Sequence, residues 1–211
     1  TIRRNRLRDG IVYIQVTRGV AKRDHAFPDG AQSSLVVTAR RGGRPAAGSV
    51  ERGIGIVLLP DLRWQRRDIK SVSLLPNVLA KQAAREQGAF EAWLVDTNGF
   101  VTEGSSTNAW IVDDEGNLVT RQLENAILSG ITRRVLRDLA ESDGIKVIER
   151  PFSAEEAKSA AEAFITSTTS FVLPVVTIDG VAVGTGAPGP VTKKLCSLYA
   201  AHFSGRGRNA P

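Results

Sequence analysis

Residues 163–183 read AFITSTTSFVLPVVTIDGVAV. Residues 163–166 form an apolar run of strand length, and the hydroxyl run TSTTS at 166–170 follows it. Residues 175–178 and 181–183 flank Asp179-Gly180, the dipeptide preferred by a two-residue hairpin turn. Strands joined by so tight a turn are antiparallel neighbours, so at least part of the sheet is not assembled from crossover units. Helical periodicity stands on both sides. A helix starting near 129–131 carries Val135, Leu136, Leu139 and Ala140 inward before Gly144, and a last helix at about 191–203 places Leu195, Leu198 and His202 on one stripe. Mixed strands and helices with several hairpins predict an α+β fold.

Upstream the same reading continues. After Gly53 come a strand at 54–59, an Arg-rich loop, and a helix at about 72–87 with Leu75, Val78, Leu79 and Ala83 on one face and Gly88 as its stop. A strand at 90–95, a DTNG turn and the polar segment TEGSSTN follow. Strands at 109–112 and 118–120 are joined by DDEGN, a hairpin signal. A short strand is expected at 146–149, and Ser153 with Glu156 makes a capping box. Near the start, residues 11–16 alternate, with Val12, Ile14 and Val16 on one face, and a second strand is expected at 35–39. RRGGRPAAG at 40–48 lacks periodicity and reads as a linker. Residues 1–45 are therefore expected to end a smaller domain and 46–211 to form a larger one. The tail SGRGRNAP is expected to fray.

Composition narrows the function classes. A chain of 211 residues with 42% hydrophobic and 24% charged content can bury about 70% of its unfolded surface. No apolar run nears the ~18 residues of a membrane span. A single cysteine, Cys196, cannot form an internal disulfide, and the opening TIRRNRLRDG lacks a secretory apolar stretch, which favours a reducing, cytoplasmic setting. The net charge of +6 suits anionic metabolites. Nucleic acid gains little, because Arg3, Arg4, Arg6 and Arg8 run without interleaved aromatics and read as a piece of helix surface. Two distant histidines and one cysteine give no metal-ligand spacing. The absence of methionine places the expected natural N-terminus upstream.

Two features point to a bound phosphate. Ser129-Gly130-Ile131-Thr132 opens an amphipathic helix, whose first N–H groups and dipole favour an anion, and Gly130 lets the backbone come close. The hydroxyls of TSTTS, Ser167 and Thr168 among them, emerge together at a strand end. Pattern alone leaves the alternatives open: a serine at a helix start is also a simple cap, and a Ser/Thr run also a solvated loop. Glu103 in VTEGSSTN is either a surface carboxylate in a turn or a charge held to pair with a protonated ring nitrogen or a metal. Lys70 lies beside Arg66 and Arg67, whose like charge would repel its proton, the environment a lysine nucleophile needs; a solvated lysine is the other reading. Arg23 and His25, in the loop VTRGVAKRDH, could together grip a carboxylate, or be a solvated basic loop.

VTRGVAKRDHAFP, DIKSVSLLPNVLAKQAAREQGAFEAWLV, VTEGSSTNAW, ILSGITRRVL and FITSTTSFVLPV occur in this order. Together they resemble the D-amino-acid aminotransferases of the class-IV (fold-type IV) pyridoxal-phosphate enzymes, over nearly the whole chain from about Gly10 to about Tyr199. The resemblance implies a remnant of a small α/β domain plus a larger mixed-strand pseudo-barrel. It implies Lys70 as the residue that carries pyridoxal 5'-phosphate and moves the substrate proton, and Glu103 as the partner of the ring nitrogen. It implies cofactor contacts from Ser105, Ser106, Gly130, Ile131, Thr132, Ser167 and Thr168, and a substrate pocket from Tyr13, Arg23 and His25, with no metal.

The activity implied is ping-pong transamination, through the pyridoxamine phosphate form, between a D-amino acid such as D-alanine and a 2-oxo acid such as 2-oxoglutarate, in a cytoplasmic homodimer. The alternatives are a branched-chain L-amino-acid aminotransferase, an aminodeoxychorismate lyase, or an inactive truncated domain. An upstream segment is expected to complete the small domain and supply an arginine to the phosphate and an aromatic residue to the substrate side. Asp24, between Arg23 and His25, sets a negative charge beside the expected carboxylate trap.

Overall fold

The computed structural model describes residues 1–42, 45, 46 and 48–207, the last four through their backbone. The chain divides into two compact units, Thr1–Arg44 and Pro45–Pro211. In the first, β1 (Ile11–Thr17) and β2 (Ser34–Arg40) form an antiparallel pair that sets Ile11 opposite Arg40 and Thr17 opposite Ser34. Its alternation leaves apolar side chains uncovered: Ile14 is 64% and Val16 70% exposed. Residues 2–6 form turns rather than helix, with Arg6 at a φ of 50°, so the arginine run is not helix surface. Of the predicted linker, residues 43, 44 and 47 lie outside the described residues.

The second unit contains α1 (Ser49–Arg52), β3 (Ile54–Pro60), α2 (Leu75–Glu86), β4 (Glu91–Val95), β5 (Val101–Gly104), β6 (Asn108–Val112), β7 (Leu118–Thr120), α3 (Ile131–Ser142), β8 (Val147–Glu149), α4 (Ala154–Ser159), β9 (Glu162–Ser167), β10 (Phe171–Ile178), β11 (Val181–Ala182) and α5 (Pro190–Gly207). The sheet order is β5-β4-β3-β10-β9-β6-β7-β8, with β11 paired to β10. The β10–β3, β3–β4 and β7–β8 pairs are parallel and the others antiparallel. Asp179 and Gly180 both take positive φ, 51° and 77°, which a primed hairpin turn requires.

Two-residue periodicity divides the strand side chains between two faces. Ile54, Ile56, Trp93, Val101, Ala109, Ile111, Val119, Ala163 and Ile165 join one core cluster. That cluster takes residues from β5 at one edge and from β7 near the other, so the sheet curls around it. The opposite face packs outward: Trp110, Val112 and Phe164 meet Leu136 and Ala140 of α3 and Leu195 and Tyr199 of α5, while Val57, Ala92 and Leu94 meet Ala80 and Ala84 of α2.

Three predicted elements come out differently. Helix α2 starts at Leu75, with Pro76 in its first turn. It buries Ala80 and Ala84 and leaves Leu75, Val78 and Leu79 between 57% and 68% exposed, because small side chains let the helix lie close on β3 and β4. Residues 102–104 of the polar segment after the DTNG turn join Val101 in β5, with all four residues of the strand buried, since their polar groups find partners inside the protein. Helix α5 continues through residues 204–207 of the expected loose tail, and 208–211 lie outside the described residues. Buried Glu162 accepts the Val191 and Thr192 N–H groups at 2.9 and 2.7 Å, satisfying first-turn donors of that helix. Among the described residues no helix is long and apolar enough to cross a membrane.

Phe164 stacks on Trp110 with ring centroids 5.5 Å apart, and both are fully buried. Phe164→Ala should lower unfolding free energy by about 3–5 kcal/mol in denaturant titrations. A loss below about 1 kcal/mol would contradict this placement.

Candidate functional site

The chemistry gathers where β5 ends. Glu103 is buried, 5% exposed, and both of its oxygens are engaged. Oε1 accepts Arg63 Nη1 at 2.6 Å, and Oε2 accepts Asn108 Nδ2 and the Leu128 N–H, each at 3.0 Å. Asn108 Nδ2 also donates to the Leu128 carbonyl. The start of β6 and the stretch of chain entering α3 are thus tied to one carboxylate. Burial pushes the Glu103 carboxyl above its ordinary range, while the charge and hydrogen bond of Arg63 and the Leu128 N–H pull the other way.

Arg63 is itself gripped from behind. Its Nε and Nη2 donate to the two oxygens of Asp61 at 2.9 and 2.8 Å, a bidentate pair, and Thr102 Oγ1 donates to Asp61 at 2.8 Å. Arg67 Nε lies 3.2 Å from Asp61 Oδ2, a charge contact without hydrogen-bond alignment. Burial raises the Asp61 carboxyl, but the Arg63 bonds and charge and the Thr102 hydroxyl outweigh it and hold the group below its usual range.

The N-terminus of α3 is bare. Its N-cap is Gly130, not Ser129, and no side chain caps it, so its first-turn N–H groups are left without a capping side chain. Gly130 has an ordinary φ of −66°; glycine is needed for space, because an added Cβ would lie 2.0 Å from Asn108 Oδ1. Ile131 is exposed, whereas Thr132 is buried and accepts the Tyr199 hydroxyl at 3.4 Å. Asn108 stands opposite Thr166 in the β6–β9 ladder, which sets the turn after β9 beside this corner. In that turn Ser167 Oγ accepts the Ser170 N–H at 2.9 Å, and Thr168 is exposed.

Ser105 and Ser106 are committed elsewhere. Their hydroxyls donate to the fully buried Glu91, Ser106 at 2.9 Å, and Asn77 Nδ2 donates to the Ser105 carbonyl at 2.8 Å. Lys70 is exposed, with no ion pair or hydrogen bond among the described residues. The neighbouring charges expected to act on it are matched instead: Arg66 pairs with Asp68 at 2.9 Å, and Arg67 faces Asp61. The loop is pinned by Arg67 N–H donating to the Asn125 carbonyl at 3.0 Å.

Tyr13, Arg23 and His25 belong to the other unit, where all three are exposed. Asp24 turns its carboxylate onto the backbone, accepting the His25 and Ala26 N–H groups at 2.6 and 3.3 Å. The described residues contain no group of acidic, histidine and cysteine side chains able to hold a metal. Asp61, Arg63, Thr102, Asn108 and Glu91 carry the site's internal order, and sequence reasoning misses all five. The alternation Asp61-Leu62-Arg63 is the available signal, hidden in an arginine-rich loop.

Asp61 gives a pH test. Its folded-state value lies below the unfolded one, so its contribution to stability is fully present above the ordinary carboxylate value of about 3.9 and is lost as pH falls through the folded value. Asp61→Asn should therefore flatten the acid side of the stability curve, measured by urea unfolding from neutral to acid pH. A parallel curve merely displaced downward would exclude this linkage.

The chain matches the amino-transferase class IV family over residues 1–178. It is 41% identical over 191 residues to the D-alanine aminotransferases of Bacillus licheniformis and Staphylococcus haemolyticus, covering 90% of this chain and 66% and 67% of theirs. It thus spans about two thirds of the length of these curated relatives. Among solved structures, Escherichia coli branched-chain amino acid aminotransferase aligns with a TM-score of 0.83 at 30% identity, over 93% of this chain and 66% of that one. A second branched-chain amino acid aminotransferase, the T.th. enzyme with pyridoxamine 5'-phosphate, aligns with a TM-score of 0.86 at 28% identity, over 97% and 68%.

Proposed function

This chain belongs to amino-transferase class IV, with the fold of the fold-type IV enzymes, and from that premise we propose pyridoxal-phosphate-dependent transamination between a D-amino acid, such as D-alanine, and a 2-oxo acid, such as 2-oxoglutarate. The observation that carries this reading is the corner in which buried Glu103 is bonded to the segment that opens the uncapped helix α3. Its donor set fits the cofactor: a buried carboxylate for a protonated ring nitrogen, bare N–H groups and exposed hydroxyls for a phosphate, and an unpaired amine for attachment.

When bound, pyridoxal phosphate supplies a ring that draws electrons from the substrate Cα. Glu103 would keep a proton at the ring nitrogen. The N–H groups of Ile131 and Thr132 would hold the phosphate with the Thr168 hydroxyl, where Gly130 leaves room and Ser167 shapes the turn. Ser105 and Ser106, fastened to Glu91, form a rigid wall. Lys70 would hold the cofactor through its amine, and the same amine would serve as the base that takes the substrate Cα proton and as the acid that delivers it to the cofactor. Arg23 and His25 would bind the substrate carboxylate, with Tyr13 as a further substrate contact. Amino donor and oxo acceptor then use one site in turn, giving ping-pong kinetics.

The D-amino-acid reading is supported by the 41% identity to D-alanine aminotransferases, against 30% or less for the branched-chain enzymes of similar fold. Exposed Leu62, Trp64, Val72, Leu75, Val78 and Leu79 support a homodimer that covers them. The single thiol, half-buried Cys196, pushed up to about 11 by desolvation, supports a reducing cytoplasm.

Borohydride reduction followed by peptide mass spectrometry should find the pyridoxyl adduct on Lys70, and Lys70→Ala should abolish exchange of the substrate Cα proton. An adduct on Lys81 or Lys146 would refute the assignment. Arg23→Ala should raise KM for D-alanine and 2-oxoglutarate by an amount equivalent to about 1.5–3 kcal/mol, the usual contribution of a hydrogen bond to a charged group. Faster turnover of L-leucine than of D-alanine by the unaltered protein would favour a branched-chain enzyme instead.

A further inference from the structure

Resting on the reading just given, we infer that Arg63 is a positioning residue for Glu103: anchored on Asp61, its guanidinium orients the Glu103 carboxylate, keeps it ionised, and so holds the proton on the ring nitrogen. Neither Lys70 nor the phosphate contacts can do this.

Solvation sets the problem. A carboxyl as buried as Glu103 is driven toward its neutral form, and a neutral carboxyl gives a protonated ring nitrogen no counter-charge. Something must oppose burial. The groups facing Glu103 come from three places: Arg63 and Asp61 from the loop after β3, Asn108 from β6, and the Leu128 N–H from the segment before α3. Asn108 and Leu128 bring no charge, and Asp61 brings the wrong sign. Arg67 faces Asp61. Among the described residues Arg63, at 2.6 Å, is the positive partner of Glu103.

Geometry adds a second role. A carboxylate offers about four lone-pair positions. Three are used here, one on Oε1 by Arg63 and two on Oε2 by Asn108 and Leu128. The position left open is on Oε1, the oxygen that Arg63 holds. Arginine is required because a planar fork with five donors can bridge two carboxylates: Nε and Nη2 bind Asp61 while Nη1 binds Glu103. A lysine could return the charge but not both anchors.

The test reads the ring nitrogen itself, in the holoprotein loaded with 15N-labelled pyridoxal phosphate and followed by 15N NMR across pH. In Arg63→Gln, with folding checked by circular dichroism, the nitrogen should lose its proton at least one pH unit lower than in the parent. That is a tenfold or greater fall in the protonated fraction once pH exceeds both values. Arg63→Lys should recover part of the shift, and a lysine variant no better than glutamine would overturn the charge argument. Should Arg63→Gln fold poorly, because it strands Glu103 as a buried unpaired charge, Arg63→Gln/Glu103→Gln removes both charges and is compared with Glu103→Gln alone. Matching titrations support action through Glu103, and a further shift in the double variant overturns it. A ring nitrogen that titrates as in the parent in Arg63→Gln, while shifted in Glu103→Gln, defeats the inference and leaves the role of Glu103 standing. No shift in Glu103→Gln defeats both.

Discussion

Arg63 sets one guanidinium between two buried carboxylates, and through it the loop after β3, the edge strand β5 and the entry to α3 are held as one piece. Removing these charges from water costs several kcal/mol per ion, and their mutual attraction roughly repays it. The arrangement therefore contributes little net stability. What it contributes is a single allowed geometry, since a displaced member would leave a buried charge unpaired. The segment that opens α3 is held by the same carboxylate, through Leu128, so the helix start and Glu103 keep a constant separation.

The curled sheet makes that corner possible. One face of its strands fills the inner core, and the other is covered by α2 at one end and by α3 and α5 at the other. Polar residues could be buried at the strand ends because the middle of each strand supplies the apolar contact. Glu91, Glu103 and Glu162 are all buried glutamates, and each has several donors. In Glu162 these satisfy a helix start. In Glu103 they include a buried guanidinium and the N–H of the segment that opens α3.

Backbone agreement with branched-chain aminotransferases is close at about 30% identity, as expected where period-2 burial rather than particular side chains sets the strands. The proposed substrate contacts Arg23 and His25 are exposed loop residues outside the core clusters.

Periodicity and turn chemistry carry far in this sequence. The Asp179-Gly180 hairpin, the α3 stripe of Leu136 and Ala140, and the Ser153–Glu156 cap are legible because each depends on neighbours within a few residues. The motif resemblance likewise points to Glu103 and the start of α3. The buried face of α2 is not legible, since hydrophobicity marks Leu75, Val78 and Leu79 while close packing on the sheet selects Ala80 and Ala84. Strand β5 is hidden because Thr102 and Glu103 read as solvent-facing until partners from 40 residues away are known. Arg63 is the sharpest case. In sequence it is one arginine in a basic loop, and only folding sets its two carboxylates on either side, since an ion pair is decided by distance in space and desolvation, neither of which composition contains.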